Sequence, residues 1–168
     1  MDSESSLVIG RVIINNRREL ALGRMPPGTI KEGILVELES VDKRTVVRVT
    51  TDEEGYFFLP NIPPGAYEVR QINISSVVMG WRGVYETSTE RFTIPQGMLA
   101  FRPTPGKVGY AGTVVVDIDE RGFARTTEAP DDAAARDYFL RTWAKTPWAS
   151  REMISLRAKP APARSFSF

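Results

Sequence analysis

Cysteine and histidine are both absent from the 168 residues. Without cysteine there is no disulfide framework, no thiolate nucleophile and no zinc-thiolate site. Without histidine the chain lacks the commonest metal ligand and the usual general base near neutral pH, so Ser-His-Asp and Cys-His arrangements are excluded. An excess of charge of one sign is missing too: 22 Lys and Arg stand against 21 Asp and Glu, a net charge of +1, with the signs interspersed. No basic field draws nucleic acid, and nucleic-acid binding is set aside. The one local basic excess, Arg151 to Arg164, is rich in Pro and Ala and reads as a solvated, linker-like end. No apolar run approaches the roughly 18 residues of a membrane-spanning helix, and no basic start with an apolar middle precedes Leu7. Met1-Asp2-Ser3-Glu4-Ser5-Ser6 reads as the polar stretch left when an export signal or lipoprotein leader is trimmed. The expected location is therefore the bacterial cell envelope, periplasmic or surface; the alternative is cytoplasmic.

What the chain does have is turn chemistry between short apolar strands. In Thr51-Asp52-Glu53-Glu54-Gly55-Tyr56-Phe57-Phe58-Leu59-Pro60 the acidic run closes on Gly55, the residue suited to a positive φ, and Tyr56 to Leu59 follow as a half-buried strand. Pro63-Pro64-Gly65 turns the chain again, so that Ala66 to Ile72 return antiparallel with Tyr67 and Val69 on one face. Upstream, Leu7 to Ile14 form an apolar first strand. Gly33 to Leu38 form a second, with Ile34, Val36 and Leu38 on one face and Glu37 and Glu39 on the other, and Thr45 to Thr51 form a third.

This order of strands and turns, with T-D-x-x-G-x-F and P-P-G-x-Y elements over residues 7 to 75, resembles the carboxypeptidase regulatory-like domain. That domain is a transthyretin-like (prealbumin-like) sandwich related to the B-type repeats of collagen adhesins. The resemblance implies a mainly β, antiparallel Greek-key sandwich and an accessory or surface role without catalysis. The segment Asn15 to Lys31 is longer than the connection common in relatives. Transthyretin-like hydrolases of a purine-degradation intermediate rely on histidines, which this chain lacks. Adhesin repeats often carry a lysine-asparagine isopeptide bond, but here Arg11 stands where the lysine is wanted.

Beyond Ile74, strand signals continue at Ser76 to Met79, Gly83 to Glu86, Arg91 to Ile94 and Met98 to Phe101. A hairpin follows from Tyr110 to Thr127, turning at Asp119-Glu120-Arg121-Gly122. Pro130, Asp131 and Asp132 suit a helix start, and Ala135, Phe139 and Trp143 recur every fourth position toward an end near Lys145. Its aromatic face should cover a sheet face or edge. The expected organisation is a sandwich with extra strands over 7–128, one C-terminal helix packing on it over 129–148, and an extended or disordered tail over 149–168.

Asp117, Asp119 and Glu120, like Asp52, Glu53 and Glu54, offer oxygens for a hard cation. Arg121 intrudes on the first set and no glutamate lies twelve positions on, so both read as turns and no metal site is expected. Carboxylate pairs for glycosidase chemistry, a serine nucleophile motif and a phosphate-cradling glycine loop find no matching pattern either. No catalytic residue or cofactor is expected. Trp81, Arg82 and Tyr85 lie among glycines in Met79-Gly80-Trp81-Arg82-Gly83-Val84-Tyr85 and are the candidate ligand-binding residues, able to stack on a sugar ring or anchor a protein. A tryptophan folded back onto the sandwich is the competing reading. The functional expectation is a non-catalytic structural or protein-interaction module whose partner binds at a loop or sheet edge. The alternative is a carbohydrate-binding module recognising a cell-surface glycan through exposed aromatics.

Overall fold

A computed structural model of the chain describes residues 5–18, 25–79, 83, 85–129 and 131–156. Along the chain the strands are β1 (Leu7–Asn16), β2 (Gly28–Ile30), β3 (Leu35–Ser40), β4 (Val46–Thr50), β5 (Tyr56–Pro60), β6 (Tyr67–Met79), β7 (Tyr85–Thr93), β8 (Val108–Ile118), β9 (Ala124–Ala129) and β10 (Met153–Ser155). The helix α1 (Asp132–Trp143) and a 3-10 turn (Pro147–Ser150) separate the last two strands. The expected mainly β sandwich with one C-terminal helix is the fold that forms.

β1 and β8 lie side by side at the centre of the first sheet. Over residues 7–9 and 108–111 both are apolar on both faces, because one face meets the second sheet and the other meets α1; farther along, Arg11, Ile13, Asn15, Val115 and Asp117 are only partly buried. Their pairing is parallel, as is that of β8 with β10, so this sheet is mixed rather than purely antiparallel. Burial on both faces is the usual setting of parallel strands. β5 and β2 share the far side of β1, and β9 pairs antiparallel along the distal part of β8. The second sheet runs β4-β3-β6-β7 and is antiparallel throughout.

Between the sheets lie Val8, Val12, Ile14, Val36, Leu38, Phe57, Val69, Ile72, Val114 and Val116, all at or near zero exposure. Gly10 is part of this packing. Paired with Phe57 across β1 and β5, it leaves the space the Phe57 ring fills, and a Cβ there would come 2.1 Å from Phe57 Cζ. On the opposite face of the first sheet, Leu7, Ile9, Tyr56, Val108 and Tyr110 pack beneath Ala135, Tyr138 and Phe139 of α1, with Trp148 and Met153 closing the side. The helix thus covers a sheet face, as its spacing predicts.

The two acidic turns share one construction. Asp52 Oδ1 accepts from the amides of Glu54 (3.0 Å) and Tyr56 (2.9 Å), and Asp119 Oδ1 accepts from those of Arg121 and Phe123 (both 2.9 Å). In each, the Gly three residues on has a positive φ (Gly55 90°, Gly122 89°) and donates back to the Asp carbonyl. The D-E-x-G-aromatic sequence is therefore the same Asx-type turn used twice, with the carboxylates occupied by backbone amides.

Several boundaries differ from the expectations. Ser76 to Met79 is not a separate strand but the end of a 13-residue β6. Tyr85 and Glu86, from the first of the next two expected strands, and Arg91 to Thr93, from the second, belong together in β7, which also includes the intervening Thr87 to Glu90; Val84 lies outside the described residues. Met98 to Phe101 is a turn in which only Phe101 bridges to Tyr67, because Leu99 takes φ 49° and breaks the extended path. The long first connection contains β2, and Met153 to Ser155 within the expected tail add to β8. Leu20 to Leu22, Pro130 and residues 157–168 lie outside the described residues.

Candidate functional site

The sandwich is asymmetric. α1 covers the outer face of the first sheet, whereas among the described residues no element packs on the outer face of the second. Alternation places Arg48 of β4, Glu37 of β3, Gln71, Asn73 and Ser75 of β6, and Thr89 and Arg91 of β7 on that outer face. They line a shallow trough of about 370 Å³. Glu37 Oε1 accepts from Arg48 Nε (3.2 Å) and Asn73 Nδ2 (3.4 Å), Gln71 Nε2 donates to Asn73 Oδ1 (2.6 Å), and the Ser75 and Thr89 hydroxyls share a bond of 3.0 Å. The face is polar and internally hydrogen-bonded across all four strands, a surface held flat for contact rather than a pocket enclosing a reactive group.

A bulge at Arg70 sets this face. β3 pairs Glu37 with Gln71 and Leu38 with Val69, so Arg70 is the extra residue. Its guanidinium binds Glu39 (2.7 Å) and Glu68 (3.1 Å), and Glu68 also accepts from the Gly97 amide (3.0 Å). These contacts tie the loop after β7 to the sheet. On β7 itself the Glu90 carboxylate accepts from Arg18 Nη2 (2.8 and 3.0 Å) and from the Met25 amide (3.2 Å), so its side chain is engaged while, among the described residues, the outward backbone is not.

β6 and β7 run beyond the rest of the sheet as a hairpin. Past Ile74, no residue of β6 with a described side chain is buried; Val77 is 69% exposed and Tyr85, at the start of β7, 70%. Tyr85 is the one candidate ligand residue within the described structure, and it is solvent-exposed on the hairpin. Trp81 and Arg82 lie outside the described residues.

β7 is also an edge. Among the described residues it pairs with β6 alone. Ile94 N donates to Arg70 O at 2.9 Å, and in an antiparallel ladder inward- and outward-facing peptides alternate, so those of Tyr85, Thr87, Thr89, Arg91 and Thr93 face away from β6. All five side chains are exposed. The strand is nine residues long, contains no proline and has no bulge against β6, two of the devices that blunt an edge; its charges are Glu86, Glu90, which is paired with Arg18, and Arg91. The sequence reading missed this row because Thr87-Ser88-Thr89-Glu90 has no apolar alternation; the recurring β-branched residues Thr87, Thr89 and Thr93 were the available signal.

The largest cluster of aromatic and charged groups has a different role. Tyr138 stacks on Tyr56 (centroids 4.0 Å apart) and donates to Asp52 Oδ2, while Arg11 lies over the other Tyr56 contact surface at 4.8 Å and bridges Asp131 at 2.8 Å. Burial first, and then the bond to Asp52, push the Tyr138 phenol up to about 12. This is a clamp holding α1 on the sheet, and it occupies the Arg11 side chain. Among the described residues no group of three or more Asp and Glu side chains is placed to hold a metal ion, and no helix is long and apolar enough to cross a membrane. No protein-family model and no curated protein matches the chain.

Proposed function

We propose that this chain is a non-catalytic structural or protein-interaction module of the bacterial cell envelope that takes up an extended protein segment along β7. The observation carrying this reading is the nine-residue edge strand with a row of outward peptide groups on a projecting hairpin. Strand addition draws its affinity from main-chain hydrogen bonds and needs no specialised side chain. The whole sequence contains no His or Cys, and the carboxylates of the open face are engaged by arginine and amide partners, which supports a role without chemistry. Resemblance to surface modules supports the envelope location; finding the native product only in the cytoplasmic fraction would refute it.

One observation favours glycan recognition as the second reading: the trough on the open face is lined by amide, hydroxyl and guanidinium groups, with Tyr85 exposed beyond it. A glycan array with the wild type, Trp81→Ala and Tyr85→Ala separates the two. Reproducible glycan binding lost in either variant defeats the interaction-only reading. No glycan binding, together with a photo-crosslinker at position 89 that captures protein in cells while one at exposed Phe123 does not, supports it.

A further inference from the structure

We propose that the segment taken up by β7 is β7 of a second copy of this chain, the two strands pairing antiparallel about a twofold axis at Thr89 to make one continuous eight-stranded sheet. This rests on the interaction reading above and names its partner.

Self-complementarity is what selects this occupant. With Thr89 opposite Thr89, Thr87 meets Arg91 and Tyr85 meets Thr93 on the outer face and Ser88 meets Glu90 on the inner, while position 86 falls in register with position 92. Every residue of the strand is paired and no like charges are opposed. Thr-Thr and aromatic-β-branched neighbours are among the favourable cross-strand pairs. Other registers are worse. Centring on Ser88 opposes Glu86 with Glu90, centring on Glu90 opposes it with itself, and centring on Arg91 opposes two arginines. Centring on Thr87 confines pairing within the strand to residues 85–89. Because peptides at Thr87, Thr89 and Arg91 already face outward, the pairing costs β6 none of its hydrogen bonds. The contact is isologous and closes at two copies.

The absence of cysteine makes a clean test possible. Residues opposed in a hydrogen-bonded antiparallel pair have Cα atoms about 5.5 Å apart, within disulfide reach. Sedimentation equilibrium of the wild type should therefore show a concentration-dependent dimer, and Thr89→Cys should form a disulfide-linked dimer under mild oxidation. Thr87→Cys alone and Arg91→Cys alone should not, yet a mixture of the two should. Thr89→Pro removes one outward N–H per copy and Thr89→Lys opposes two ammonium groups, so each should weaken the dimer about tenfold or more. Thermal unfolding close to the wild type establishes that both variants are folded.

A wild type that stays monomeric at high concentration overturns the proposal, as does a dimer that Thr89→Cys does not link. The broader interaction reading fails separately. If the chain is monomeric but a crosslinker at position 89 captures a different protein, and Thr89→Pro abolishes that capture, the homodimer falls and strand addition stands. If neither a dimer nor a capture forms, both fall.

Discussion

Asp52 and Asp119 build the same turn in different surroundings, and removing each carboxylate therefore separates turn energy from helix anchoring. Asp119→Ala deletes two backbone-to-carboxylate hydrogen bonds in an exposed hairpin, where water replaces the acceptor. The expected loss is about 1 kcal/mol, similar to that of a helix cap. Asp52→Ala deletes the equivalent pair and also the carboxylate acceptor of Tyr138, which is 7% exposed between α1 and the sheet and whose hydroxyl keeps its contact with Thr142. A buried hydroxyl that loses its charged acceptor adds about 1–3 kcal/mol, for a total of about 2–4 kcal/mol. Urea unfolding, with m compared among variants, measures both. Adding Tyr138→Phe to Asp52→Ala should change little beyond Asp52→Ala, giving a coupling energy of about 1 kcal/mol or more. Equal losses for the two aspartates, or additivity of Asp52→Ala with Tyr138→Phe, would refute the view that the first turn anchors the helix.

Alkaline pH should release the same clamp. Tyr138 is raised from its ordinary 10 to about 12, so its contribution is complete below pH 10 and is lost as pH rises toward 12. Thermal melts should accordingly fall over that window, less steeply in Tyr138→Phe; an unchanged slope in the variant would contradict the clamp. Gly10→Ala should destabilise by about 1–3 kcal/mol through overpacking against Phe57, and combining it with Phe57→Leu should recover part of that loss by denaturant midpoint. Phe139→Ala, at a position only 1% exposed between α1 and the first sheet, should lower stability by about 3–5 kcal/mol in the same assay.

The strands from Leu7 to Ile72 were legible because their determinants are local. Gly55 and Gly65 mark turns with positive φ, and Val36 and Leu38 alternate with Glu37 and Glu39. The helix was legible from Ala135 and Phe139, although Asp131 serves it by binding Arg11 rather than by capping its amides with the side chain. What the pattern hid depends on partners distant in sequence. β1 and β8 pair in parallel across about a hundred residues, and neither apolar run contains any sign of its orientation. The β6–β7 hairpin outruns the core, so its residues need no apolar face and its strand signal broke between Ile72 and Ser76 and again at Thr87. The exposure of Tyr85 follows from its place on that hairpin, whereas Thr89 and Arg91 become informative only once β7 is known to be an edge.

Backbone hydrogen exchange along β7 tests the central claim most directly. In dilute protein the amides of Ser88 and Glu90, which face β6, should exchange slowly, while those of Thr87, Thr89 and Arg91 should exchange fast. Raising the protein concentration should protect these three outward amides, in the wild type and not in Thr89→Lys. Outward amides that stay fast at every concentration, or that are already protected in dilute monomer, would contradict an open edge that pairs with a second copy.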